Sequence, residues 1–227
     1  MKRAASIEAL INRSREGLTE LRQAYEASLH EKKVREDLKV DIKNIFENLR
    51  SCLDYVAHEL HEFNCAPPIP SRLYFPIRQT LNDFAAVMQQ DFPNLDVRNP
   101  SAHQFLESIQ PFHNPWLSQF NELNNQNKHQ DLVEQTRTES RQVSVTRPGA
   151  GSVSWQQSGV VFGSGVRVMG VPIDPKTQMP VPNTDVQTNV TTWVDFRFRE
   201  SGASVIPFIE KSVNEVDRIY RELSKHC

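Results

Sequence analysis

The chain has 227 residues, a formal net charge of -2, and 38% hydrophobic against 24% charged residues. That length can bury a core without metal or disulfide staples, and that hydrophobic content excludes disorder throughout. The near-neutral balance excludes a basic nucleic-acid coat or an acidic tail, while leaving room for a local basic face.

No apolar run reaches membrane-spanning length, and the opening MKRAASIEALINRSRE is broken by charges before a signal-peptide core can form. The three cysteines, Cys52, Cys65 and Cys227, are too few and too scattered for a disulfide framework. They point to reduced thiols and a cytoplasmic location.

The first half reads as helical. Residues about 5–35 place Ile7, Leu10, Ile11, Leu18, Leu21, Tyr25 and Leu29 on a thin apolar face, with Gly17 as a weak point. In DIKNIFENLRSCLDYVAHELHEF, Ile42, Leu49, Val56 and Phe63 recur every seven residues, which predicts one continuous buried stripe. Asp41 suits the start of this helix and Pro67, Pro68 and Pro70 its end. A loop carrying YFPI at 74–77 follows, then a short helix over about 79–90, a break at DFPNLDVRNPS and a short helix over 101–110. Pro115 opens a further helix with Trp116, Phe120 and Leu123 on its apolar side, running through NNQNKHQDLVEQ.

After about residue 140 the period becomes strand-like. SRQVSVT, GSVSW, GVVFGSGVRVMGV and TTWVDFRFRE predict short strands, with a hairpin turning at Gly163–Gly165. MGVPIDPKTQMPVPNTD reads as a long proline-rich loop. Ile209, Val213, Val216, Tyr220 and Leu223 then return the chain to an amphipathic helix that Pro207 can open. The fold class is therefore mainly α, a helical bundle with a small antiparallel β insertion. The bundle takes residues 1–140, the insertion 141–200 and the returning helix 201–227. The competing arrangement is a helical domain followed by an α+β domain that owns the last helix.

Two polar stripes carry candidate chemistry. Asn125 and His129 are four residues apart on one helix face, with Asn124 and Lys128 beside them. Arg50, Asp54 and His58 also step by four, and His61 follows three later. If the two helices pack side by side, Asp54 can orient an imidazole and Arg50 can neutralise an anion. Both stripes equally fit solvated helix faces, with Arg50–Asp54 an ordinary ion pair worth about 0.3–0.5 kcal/mol.

No cofactor and no metal is expected. HELH is not a zincin motif, Cys52 and Cys65 are too far apart on a helix to chelate together, and GSG lacks the phosphate-loop lysine. A metal hydrolase built from His58, His61 and His129 is the minor alternative. Over 141–199 six basic side chains face three acidic ones, whereas helix two from Asp41 to Glu62 is net -3. The insertion is thus the better phosphate-contacting surface of the two. Trp155, Phe162 and Trp193 fit either strand core or base stacking.

The order ENLRSCLDYVAHEL, YFPI, IQPF, LNNQNKHQDLVE, WVDFRF and a terminal helix resembles a bacterial group of HEPN-like helical bundles, over about residues 40–222. That resemblance implies a bundle that dimerises. It also implies a metal-independent endoribonuclease of toxin–antitoxin, phage-defence or CRISPR-associated systems. The family's motif is an arginine, often followed by asparagine, with a histidine five positions after the arginine. On this chain it lands on Asn124, Asn125 and His129, with asparagine where the arginine belongs. A neutral amide cannot supply the arginine's ionic bidentate contact. Lys128 or Arg50 is then the replacement charge, although lysine lacks the guanidinium geometry.

The implied roles are His129 and Asn125 in catalysis, with Asn124, Lys128, Arg50 and Asp54 binding substrate. The implied partners are RNA, a second copy of the chain and a protein partner such as an antitoxin, with no membrane. The alternative is a catalytically inactive dimeric binding or assembly module, which the missing arginine favours.

Overall fold

The computed structural model describes residues 1–27, 36–129, 135–199 and 201–227. Among them are seven helices: α1 (Ala4–Ala27), α2 (Glu36–Asn64), α3 (Leu81–Asp91), α4 (Leu95–Arg98), α5 (Pro100–Ser108), α6 (Pro115–His129) and α7 (Val205–Ser224). Six strands lie between α6 and α7: β1 (Gln135–Arg147), β2 (Gly151–Gln156), β3 (Arg167–Val168), β4 (Val171–Asp174), β5 (Met179–Pro180) and β6 (Gln187–Phe198). The fold is mainly helical with a small antiparallel β insertion. The chain forms two compact units, residues 1–136 with 198–227, and residues 137–197.

In the helical unit, α1 lies on α2 through Ile7, Ile11, Leu18 and Leu21, all buried. Gly17 is a close-approach point, because a Cβ there would stand 3.1 Å from the Ile45 side chain. Glu59 of α2 accepts the backbone N–H groups of Lys2 and Arg3 at 2.8 Å each, so a carboxylate caps the positive start of α1. Glu62 adds ion pairs to Lys2 and Arg3.

The centre is aromatic. Phe46 stands 5.6 Å from Phe120 and 6.1 Å from Phe198, and Trp116 stacks on Phe120. The indole N–H of Trp116 donates to Ser212, whose hydroxyl donates onward to the Phe208 carbonyl. A polar atom in the α6–α7 seam is thereby satisfied.

Several expectations need correction here. Phe63 is 69% exposed, not buried with Ile42, Leu49 and Val56. A straight helix drifts about 20° per heptad, so three heptads carry Phe63 about 60° off the face on which Ile42 lies. His61 and Asn64 are buried at that end instead. The described part of α2 already includes Glu36, five residues before Asp41. The DFPNLDVRNPS segment holds the short helix α4, opened by Asn94 at a positive φ of 62°. Among the described residues β1 is already strand at Gln135, the last residue of the stretch read as helix and well before 140, and its opening QTRTES has no apolar alternation to reveal it. The Tyr25 hydroxyl donates to Gln135, fixing that strand's start against α1.

In the inserted unit, β1 pairs antiparallel with β2, from Gln142 opposite Gln156 to Arg147 opposite Gly151, and the sheet order is β2-β1-β6. A second sheet, β3-β4-β5, is also antiparallel. The chain turns at Ser164–Gly165, where Gly165 has a φ of 82°, but the hairpin closes at Met169–Gly170, with φ of 50° and 80°. Positive φ at both central residues suits the twist of a two-residue hairpin. The proline-rich segment is not all loop, since it supplies β4 and β5. Val143, Val145, Trp155 and Ile173 form this unit's own small core. No helix among the described residues is long and apolar enough to cross a membrane.

Two depressed titrations contribute to the pH response of the helical unit. Hydrogen bonds from Arg3 and then Lys2 hold the Glu62 carboxyl down to about 2. Burial, then the nearby His58, pushes the His61 imidazole below its usual 6.5, opposed by Asp91 and Glu62. Both folded values are depressed, so both contributions are present at high pH and lost on acidification. Urea melts should show His61→Phe flattening the stability loss that begins just below pH 6.5. Glu62→Gln should flatten the separate loss between 4.5 and about 2.

Candidate functional site

The site is built on one side chain of α2. The Asp54 carboxylate accepts the Phe75 N–H at 2.9 Å and pairs with Arg50 at 3.0 Å. Arg50 in turn donates to the Phe75 carbonyl at 3.3 Å. The two predicted stripe residues therefore grip the backbone of the YFPI segment from both its polar groups. The described partners of Asp54 are this loop and Arg50. Its sequence-expected role of orienting an imidazole is not among them. The pair is not the solvated surface pair either, because Arg50 is 11% and Asp54 22% exposed.

A second clamp comes from the IQPF segment. Gln110 is fully buried, and its side-chain carbonyl accepts the Arg78 N–H at 2.9 Å. Its amide N–H groups donate to the carbonyls of Pro76 at 3.0 Å and Leu106 at 2.9 Å. Gln79 adds a bond to Ser118 of α6 at 2.7 Å. Segments far apart in sequence are tied into one frame by charge-assisted and buried amide hydrogen bonds.

That frame surrounds a cavity of about 500 Å³. Its lining includes Arg50 and Asp54 from α2; Arg72, Tyr74, Phe75, Ile77 and Arg78 from the loop; Gln90 and Asp91 from α3; and Asn121, Asn124 and Asn125 from α6. Four residues predicted from sequence, Arg50, Asp54, Asn124 and Asn125, thus meet at one opening. The aromatic pair explains their proximity. Arg50 and Asn124 each stand one helical turn beyond a ring of the Phe46–Phe120 contact, at 5.6 Å between centroids. Three guanidiniums against two carboxylates leave the lining net positive, so it can hold an anion. Tyr74, 57% exposed, offers a ring for stacking at the rim.

Sequence reading missed Arg72, Tyr74, Arg78 and Asn121 as site residues. The signal for the first three was present: RLYFPIR brackets an apolar loop with two arginines just after a run of prolines. Asn121 left no signal apart from its place one turn before Asn125.

The remaining candidates are not among the described lining residues of this cavity. Lys128 and His129 end α6, and their side chains lie outside the described residues. His61 is buried beside Phe92 in an edge-on contact. Among the described residues no three His, Cys, Asp or Glu side chains are grouped to hold a metal ion. Cys52 is buried, and burial pushes its thiol up to about 12, which leaves it inert near neutral pH. In the inserted unit Arg147 and Arg167 bond to backbone carbonyls and Arg197 pairs with Asp195. Its basic charge is thus partly engaged within the unit. Trp155 packs against Phe162 at 5.1 Å, as a core residue does, and the Trp193 side chain lies outside the described residues.

Comparison of the chain with protein-family models, curated proteins and solved structures gives no match.

Gln110→Ala should leave the Arg78 N–H and the Pro76 carbonyl without their buried partner and lower stability by about 1–3 kcal/mol. Asp54→Asn should cost at least as much, since the amide still accepts from Phe75 but leaves the nearly buried Arg50 charge without its counter-ion. Urea denaturation of the two variants beside the parent protein checks both the loss and the ranking.

Proposed function

We propose that the chain is a HEPN-like protein acting on RNA as a metal-independent endoribonuclease. In this reading Arg50, Arg72 and Arg78 hold phosphate, and His129 moves the proton with Asn125 orienting it. The observation that supports it is the meeting of Arg50 with Asn124 and Asn125 in one cavity. The resemblance calls for an arginine where this chain has Asn124. Arg50 brings a guanidinium to that place from another helix, and arginine is the side chain whose geometry suits a phosphate.

The chemistry follows from the substrate. A ribose 2′-hydroxyl attacks the adjacent phosphorus, the bond from phosphorus to the 5′-oxygen breaks, and the departing oxygen takes a proton. His129 serves the proton transfers, and the guanidiniums stabilise charge gathering on the phosphate oxygens. Tyr74 gives an unpaired base a ring to stack on. The same reading makes the protein a cytoplasmic homodimer with a defence or toxin role, as the resemblance implies. A second reading is a binding module without catalysis. It is favoured by the engagement of Arg50 with Asp54 and the Phe75 carbonyl, which draws part of its charge away from a ligand.

Single-stranded RNAs of varied sequence, incubated with the purified protein in EDTA, decide between them. The nuclease reading expects cleavage that falls about 100-fold or more in His129→Ala. It also expects weaker binding in Arg72→Gln and Arg78→Gln, with a salt slope shallower by about 0.7 for each lost phosphate contact. Salt-dependent binding without cleavage supports the second reading. RNA affinity unchanged by both arginine substitutions overturns the two together.

A further inference from the structure

Two buried polar atoms of the cavity have no hydrogen-bond partner among the described residues: Arg50 Nη1, a donor, and Asn124 Oδ1, an acceptor. Asn124 is 1% exposed, so this acceptor has been withdrawn from bulk water. A buried donor or acceptor left unpaired costs free energy, and folded proteins keep few of them. The two residues that carry them line the same cavity, and no bond joins the two atoms.

The complementary ligand offers an acceptor and a donor side by side. A ribonucleotide does so, since a phosphate oxygen accepts and the neighbouring 2′-hydroxyl donates. A deoxyribonucleotide keeps the first group and lacks the second. We infer that Asn124 Oδ1 is the atom by which this cavity tells RNA from DNA: it accepts a hydrogen bond from the 2′-hydroxyl of the bound nucleotide, before His129 takes that proton, while Arg50 Nη1 donates to the adjacent phosphate.

This rests on the phosphate-binding reading of the cavity and adds the sugar to it. It also gives the departure from the family motif a role. An arginine at position 124 offers donors only, and a carboxylate there repels the phosphate. A neutral amide supplies the acceptor while Arg50 supplies the charge.

Calorimetric titration of the full chain with adenosine 3′-monophosphate, its 2′-deoxy counterpart and inorganic phosphate tests the assignment. The ribonucleotide should bind about five- to tenfold more tightly than the deoxyribonucleotide, the worth of one hydrogen bond to a buried group. In Asn124→Leu the two affinities should become equal. The variant should melt no lower than the parent, because the unpaired acceptor has been removed. Equal affinities in the unsubstituted protein overturn the inference, whether or not the variant folds, and so does a preference that survives in folded Asn124→Leu. Phosphate-dependent binding with no sugar preference removes this inference alone. Failure of all three probes to bind removes the phosphate reading and the inference with it.

Discussion

The carboxylate of Asp54 is the point on which the arrangement of the cavity depends. It stands at a half-buried position of α2 beside the YFPI loop, and it holds that loop by the Phe75 N–H. Without it Arg50 would carry a nearly buried positive charge beside a free backbone, a costly state. With it, Arg50 is oriented and partly neutralised, and the loop is fixed so that Arg72 and Arg78 border the same opening. Gln110 completes the hold from the opposite side by satisfying Pro76 and Arg78.

The energetics of the helical unit show a division of labour. The aromatic cluster of Phe46, Trp116, Phe120, Phe198 and Phe208 supplies apolar burial, and its polar atoms are paired. One turn further along α2 and α6 the pattern reverses, and Arg50 Nη1 and Asn124 Oδ1 are buried without partners. A core selected for stability alone has no reason to hold a complementary donor and acceptor apart. The same unit also buries His61 Nδ1 and Gln135 Nε2 without partners, so what sets Arg50 Nη1 and Asn124 Oδ1 apart is that their residues line one cavity.

Much of the bundle was legible in the residues. The 3.6-residue period identified α1, α2, α6 and α7, and the prolines placed the loop carrying YFPI. The lapses had physical causes. Phe63 shared the heptad of Ile42 but drifted off the buried face, because a straight helix does not repeat in seven residues. The opening of β1 was hidden by polar residues that carry no period. The glycines at 163–165 do mark a turn, with Gly165 at positive φ, but the hairpin closes further on, where Met169 takes positive φ beside Gly170 without a turn signal of its own. Of the site, the stripe Arg50–Asp54 and the pair Asn124–Asn125 were readable as polar faces. The loop arginines were visible but had no assigned destination.

The sequence by itself determined most of the helical segments and which of their faces are apolar, because both follow from local spacing and residue chemistry. Only the tertiary structure decided that Arg50 stands at the same cavity as Asn124, that Asp54 binds a backbone N–H, and which polar atoms remain unpaired. Those facts depend on contacts between residues 21 to 74 positions apart, and local periodicity carries no information about which buried donor meets which acceptor.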